Sequence, residues 1–169
     1  KSEEEGSFSV INSVPKDLEI EIVTIKNKTE VEDLEKDIIK KKSCSVYTLF
    51  SSEDPNERAL VGSYISVGDK KSYYLSNDKL GDKTLGFLNR IWSNDKVTVF
   101  TEHAKRDIDL IVRHGFTEFA KIYDITQLDY LIDQQSKHEL ATILDKCLGI
   151  DISVLSSMLK DGSINDEQY

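Results

Sequence analysis

The chain has 169 residues, of which 38% are hydrophobic and 31% charged, and a formal net charge of −9. That length supports one domain with a real core, and no apolar run approaches the roughly 18 residues that a membrane span requires. The negative charge argues against a free-standing nucleic-acid binder, whose affinity comes mainly from neutralising phosphates, but it leaves room for a local basic patch.

Residues 1–18 are polar and acidic, Pro15 interrupts their one weak apolar run, and they read as a linker. The acidic start lacks an apolar signal segment, and a chain beginning with Lys1 instead of Met reads as a piece of a longer one. Order is expected from Glu19, where Ile20 and Ile22 alternate with Glu19 and Glu21 as on a half-exposed edge strand over 19–25. Thr29 and Glu32 have the spacing of a capping box, in which hydroxyl and carboxylate each satisfy an unpaired backbone N–H. The helix they open is expected to reach about Lys41 and to bury Val31, Leu34 and Ile38. Lys40, Lys41 and Lys42 close it as a solvated end that suits the negative pole of the helix dipole, a simpler role than a phosphate patch. Residues 45–51 read as a strand, 53–56 as a turn set by Pro55, and 59–67 as a second strand. A hairpin turn at 68–71 returns the chain as an antiparallel strand over 72–75. A helix from Asp82 or Lys83 then shows Leu85, Leu88, Ile91 and Trp92 on one side.

From Val97 the chain reads strand, helix, strand, helix. Val97, Thr98, Val99 and Phe100 suit a strand buried on both faces. Ala104, Ile108, Ile111 and Val112 then share a helical face, while Lys105, Arg106, Asp109 and Arg113 can stay wet. Gly115 is placed to take a left-handed C-cap. Residues 119–123 read as a strand, Asp124 as an N-cap, and Ile125, Leu128, Leu131 and Ile132 as another helical stripe. A strand, a helix of about three turns and a second strand make a crossover, so the two strands are expected parallel and adjacent. Ser136 and Glu139 have the spacing of a second capping box. Leu140, Ile143, Leu144, Cys147 and Leu148 line the next helix, Gly149 ends it, and 151–160 read as a short, weakly amphipathic helix. The order predicts an α/β fold: a mixed sheet, with a three-strand antiparallel meander and two parallel strands, carrying helices on both faces.

Chemical motifs are sparse. The eight glycines make neither GxGxxG nor GxxxxGK[ST], and there is no CxxC, HExxH or GxSxG. His103, His114 and His138 fall at helix ends or on polar faces and read as surface histidines. Cys44 and Cys147 each have apolar neighbours and read as buried free thiols.

A resemblance emerges from motif order. His103-Ala104-Lys105-Arg106-Asp107 opens a helix that closes on Arg113-His114-Gly115, and the next strand ends in Tyr123-Asp124-Ile125. Tyr130-Leu131-Ile132 follows, then Leu140-Ala141-Thr142-Ile143 and Cys147-Leu148-Gly149. Upstream lies the strand Leu60-Val61-Gly62-Ser63-Tyr64-Ile65-Ser66. In this order, from about Ile20 to Gly149, the chain resembles the 3′–5′ proofreading exonuclease domain of bacterial family A DNA polymerases, the DNA polymerase I group, whose fold is ribonuclease-H-like.

That resemblance implies a site and what this chain has lost from it. Active members hold two divalent metals with four carboxylates, because two hard cations about 4 Å apart need carboxylate oxygens to balance their charge while they activate water. Two of those carboxylates belong to an Asp-x-Glu on the first core strand, where this chain has Thr48 and Phe50. His103 replaces the Asn of the helix motif, and Asp107 alone keeps a ligand position. The last carboxylate lies in a Tyr-x-x-x-Asp beyond Tyr169; the local Tyr74 to Asp78 comes in the wrong place. The implied protein is a degenerate domain over 19–169 with no catalytic residue, metal or cofactor of its own. Thr48, Phe50, His103 and Asp107 are then vestigial positions, Asp107 a solvated helix residue, and Lys83, Lys96, Lys105 and Arg106 scattered surface charges. Mg²⁺ is expected only in the polymerase domain of the parent chain. DNA is expected as a partner through that polymerase, with packing against its body, as a cytoplasmic monomer with no membrane contact, in replication and repair. Two rivals stand beside this: an active nuclease using Glu53 and Asp54, and a stand-alone α/β interaction module.

Overall fold

The computed structural model describes residues 20–52, 54–68 and 70–152. The expected linker at 1–18, Glu53, Asp69 and nearly all of the helix expected at 151–160 lie outside them. β1 (Glu21–Ile25) and α1 (Lys28–Lys41) lead into β2 (Ser43–Phe50), β3 (Leu60–Ser66) and β4 (Lys71–Ser76). Then come α2 (Asn77–Leu80), α3 (Asp82–Trp92), β5 (Thr98–Thr101), α4 (Ala104–Arg113), β6 (Lys121–Asp124), α5 (Ile125–Ile132) and α6 (Leu140–Leu148). One six-stranded sheet results, in the order β1-β4-β3-β2-β5-β6. β2, β3 and β4 pair as the antiparallel meander, and the crossover lays β5 and β6 parallel beside β2. β1 adds a parallel edge strand against β4.

Alternation along the strands decides what each face does. Val46, Ile65, Leu75 and Val99 point to one side and meet Val31, Leu34 and Ile38 of α1, Phe87, Leu88, Ile91 and Trp92 of α3, and Ile111 of α4. The other side presents Tyr47, Tyr64 and Phe100, which with Ile125 of α5 and Leu140 of α6 line a shallow groove of about 200 Å³. Gly62 makes that face possible at β3. A Cβ there would meet the Leu75 carbonyl at 2.6 Å and the Tyr74 ring at 2.8 Å.

Several local expectations shift. The N-cap of α1 is Asn27, supported by Glu30, and not a capping box of Thr29 with Glu32. Asn27 Oδ1 accepts from Glu30 N at 3.1 Å, and Glu30 Oε2 accepts from Lys26 N at 2.8 Å. A carboxamide makes as good a cap as a hydroxyl, so the helix starts a half-turn earlier. α3 buries Phe87 and Thr84 with the expected Leu88, Ile91 and Trp92, and the short α2 was not anticipated. Phe100 is 37% exposed, so β5 is not buried on both faces; the ring stacks on Tyr123 of β6 at 5.8 Å. In α4, Leu110 is buried where Val112 was expected to be, and Val112 is exposed. Gly115 does take a left-handed conformation, at φ 83°.

The C-terminal helices depart furthest. Leu131 and Ile132 are 73% and 83% exposed, and α6 buries none of its side chains. A polar cluster claims the inner side of α5 instead. Asp129 takes Lys146 Nζ of α6 on Oδ1 at 2.6 Å and lies 2.7 Å from His138 Nδ1 on Oδ2. His138 is therefore half-buried against a carboxylate, not a surface residue. Ser136 is 3.4 Å from Asp129 and does not cap α6, whose N-cap Glu139 makes no side-chain bond. Cys44 is buried, and burial pushes its thiol up to about 12; Cys147 is exposed, contrary to expectation.

Candidate functional site

The cleft forms where the end of β2 meets the start of α4. β2 pairs with β3 in regular register from Ser45 to Leu49, and the register shifts between Leu49 and Phe50. Such a bulge bends a strand and re-aims the side chain that follows. Thr48 stays buried beneath, while Phe50 turns toward the α4 side. α4 begins at Ala104, so Asp107 falls one turn in, with its amide bonded to the His103 carbonyl at 3.1 Å.

Asp107 is 2% exposed, which overturns its reading as a solvated residue. Helical spacing alone could not reveal this, because the walls of its pocket come from two strands. Thr101 of β5 donates its hydroxyl to Asp107 Oδ2 at 2.6 Å. Oδ1 is buried without a hydrogen-bond partner among the described groups and faces Arg106 Nε at 3.8 Å. Burial pushes the acid up to about 6, against the opposing pull of the Thr101 hydroxyl, the Arg106 charge and the Thr48 hydroxyl. Desolvation outweighs every stabilising contact here.

Arg106 is also not wet. Its NH2 donates to the Thr48 carbonyl at 3.3 Å, and its guanidinium lies 4.8 Å from the Phe50 centroid. Arg58, from the β2–β3 connection, approaches the same ring at 5.1 Å and donates to the Ser52 carbonyl at 3.3 Å. One aromatic ring therefore carries two arginines. The fold brings Thr48, Phe50, Arg106 and Asp107 together. His103 sits at the mouth as the helix N-cap residue, half-exposed, 3.6 Å from Glu102. Lys83 and Lys96 do not line the cavity, whereas Lys105 does. Asp54 belongs to the turn, accepting from Asn56 N at 2.8 Å, and is exposed.

Asp124 does more than the expected cap. Oδ1 accepts from Thr126 N at 2.9 Å and Gln127 N at 3.3 Å, opening α5. Oδ2 reaches Ala104 N at 3.0 Å and opens α4 as well. Arg58, Thr101 and Arg113 were missed as site residues. Thr101 could have been found, since it lies two residues past the buried Val99 on the same side of β5.

A three-strand meander extended by parallel crossover strands, with a cleft at the end of the first core strand, defines a ribonuclease-H-like exonuclease fold. Residues 22–166 match the 3′–5′ exonuclease family, and the chain belongs to it. It is 28% identical over 150 residues to DNA polymerase I of Borreliella burgdorferi, a match covering 85% of this chain and 16% of that protein. The chain thus spans about a sixth of that curated relative. Among solved structures, the Aedes aegypti Nibbler EXO domain superposes with a TM-score of 0.67 at 13% identity, covering 92% of this chain and 80% of that one. Escherichia coli RNase D, an exoribonuclease involved in structured RNA processing, gives 0.68 at 12% identity, covering 88% and 40%. Trypanosoma brucei RNase D in its GMP complex gives 0.71 at 9%, covering 86% and 47%. At such identities these likenesses establish the fold. Among the described residues, no helix is long and apolar enough to cross a membrane.

Proposed function

We propose that the chain is a non-catalytic, vestigial 3′–5′ exonuclease-like domain of a DNA polymerase I, acting as a rigid spacer that supports the polymerase domain in DNA replication and repair. The relationship to a DNA polymerase I over most of this chain supports the setting. The observation that carries the loss of chemistry is the composition of the cleft. Beside Asp107 stand the Thr48 and Thr101 hydroxyls and a guanidinium at 3.8 Å; the nearby Asp124 commits both oxygens to backbone amides and the Thr126 hydroxyl, and no group of three metal-ligating side chains gathers among the described residues. Two hard divalent ions need several anionic oxygens between them, and a guanidinium repels both. The residues present do not fit a metal pair, and no step is routed through one. In this reading Mg²⁺ and DNA engage the polymerase part of the parent chain in the cytoplasm, and this domain contributes packing.

The test is a trimming assay on a 5′-labelled single strand with Mg²⁺ or Mn²⁺. The strand is expected to keep its full length. A ladder of shortened products that disappears in Asp107→Ala would overturn the proposal and favour an active nuclease.

A further inference from the structure

Away from the cleft, the open side of the sheet carries aromatic rings that the described residues leave half-covered. Cross-strand pairing sets Tyr47 of β2 beside Tyr64 of β3, and Ser45 of β2 beside Phe100 of β5, so the three rings share one face. Tyr47 is 41% exposed and Phe100 37%. With Ile125 and Leu140 these rings line the shallow groove of about 200 Å³ between the sheet and the starts of α5 and α6. That volume falls below the roughly 300 Å³ at which small-molecule pockets begin. The chain stays against the body as it leaves α6. Gly149 turns it at φ 67°, Ile150 N bonds back to the Leu144 carbonyl at 3.3 Å, and the Ile150 side chain is buried. Ile152, the last described residue, is still partly buried.

We propose that the occupant of this groove is the chain's own segment 153–160, which lies outside the described residues, docked as a helix that runs back along α6. The sequence of that segment fits the surface. On a helix, Val154, Leu155, Met158 and Leu159 fall within an arc of about 140°, and Ser153, Ser156, Ser157 and Lys160 fall on the other side. The distance fits as well. α6 has nine residues, so at about 1.5 Å per residue its start, where Leu140 borders the groove, lies roughly 12–14 Å from its end. A helix over 153–160 is about 12 Å long and spans that length. Eight residues do not hold a helix alone in water, so folding of the segment and its docking are one event. A tether this short keeps the segment at an effective concentration in the millimolar range, which favours it over a free helix of similar pattern. The inference is independent of the chemistry of the cleft.

The sequence holds a single methionine, and it lies in this segment, so a labelled methyl group gives one NMR signal that reports on the docking. In the full 169-residue chain, the Met158 methyl is expected well upfield of its position in urea, with nuclear Overhauser contacts to the rings of Tyr47, Tyr64 or Phe100. Amides of 154–160 should exchange at least about tenfold more slowly than in Leu155→Asp, in which the methyl should return to its urea position while the sheet keeps its protection. Tyr47→Ser should weaken the same protection, and Val112→Ser, an exposed position on α4 that does not border the groove, should leave it unchanged. If Tyr47→Ser melts early, Leu155→Asp carries the test, since it lies beyond the described core. The contacts should survive a roughly hundredfold dilution, because only pairing with a second copy depends on concentration. A methyl signal already at its urea position, or contacts to none of the three rings, overturns the proposal. So do contacts that fade on dilution, which would give the groove to a second copy instead.

Discussion

Replacing Asp107 by Asn should make the protein more stable at neutral pH, an unusual outcome for a fully buried polar residue. The acid is 2% exposed and its pKa is raised from 3.8 to about 6, with burial the leading cause. A raised acid pKa means that the folded state holds its proton more tightly than the unfolded chain. Stability then falls as pH rises from about 4 to about 6 and stays at its lower level above that. At about 1.36 kcal/mol per unit, the full shift corresponds to roughly 3 kcal/mol of strain from the ionised form at pH 7. Asn is nearly isosteric and carries no charge, though it gives up the attraction to Arg106. A net gain of about 1–2 kcal/mol at pH 7.5 is expected, or a Tm higher by about 3–7 °C for a domain of this size. The assay is urea unfolding of both proteins from pH 5.5 to 8. Across that range Asp107 should cost wild type about 1 kcal/mol relative to the variant. A variant no more stable than wild type at pH 7.5, with a parallel pH profile, would refute the assignment of a desolvated, unmetallated acid. So would Mn²⁺ stabilising wild type and not the variant.

Asp124→Ala should cost roughly 2–3 kcal/mol in the same urea assay, since one carboxylate caps two helices and each cap is worth about 0.5–2 kcal/mol. Gly62→Ala should destabilise by at least about 1–3 kcal/mol, because the new methyl meets a backbone oxygen at 2.6 Å in the middle of the sheet; an unchanged urea midpoint would contradict that packing. Asp129→Asn should release α6 selectively. Lys146 first, and His138 second, hold the Asp129 carboxyl below the usual range. A lowered acid pKa contributes stability above the unfolded value near 4, and that stability is lost as pH falls below it. Hydrogen exchange across residues 140–148 should accelerate in the variant at pH 7, and in wild type on acidification, while α1 and α3 keep their protection.

How much of this could be read beforehand depends on how local the cause is. Val31, Leu34 and Ile38 were legible because a polar helix with three apolar residues at helical spacing has only one way to face a core. The crossover of β5, α4 and β6 was legible for a similar reason, since chain length and handedness leave one arrangement. α5 and α6 misled because their apolar residues do not compete for burial alone. Asp129 finds Lys146 and His138 across a 17-residue span, and that polar knot sets the helix rotation, leaving Leu131 and Ile132 outside. Half of the Asp124 role was visible, the half on its own helix; the bond to Ala104 exists only once the crossover has closed.

The motif order drew attention to Thr48, Phe50 and Asp107, which do lie together, but the surroundings of each side chain were not legible. Sequence alone says which residues stand at these positions, not what they touch. Phe50, at the bulge that ends β2, offers a ring on which arginines from α4 and from the β2–β3 connection settle. Arg106 then lies close enough to Asp107 to favour its charge, and too far, at 3.8 Å and without a hydrogen bond to Oδ1, to offset burial. The consequence is an acid near pH 6 inside a basic cleft, a pairing that two divalent ions would abolish by holding the carboxylate ionised at every pH above the acid range. The pH dependence of folding therefore reports on the chemistry of this cleft with no substrate present. A slope confined to pH 4–6 and removed by Asp107→Asn belongs to the arginine-lined form, and a flat profile in the presence of Mn²⁺ to the metal-bound one.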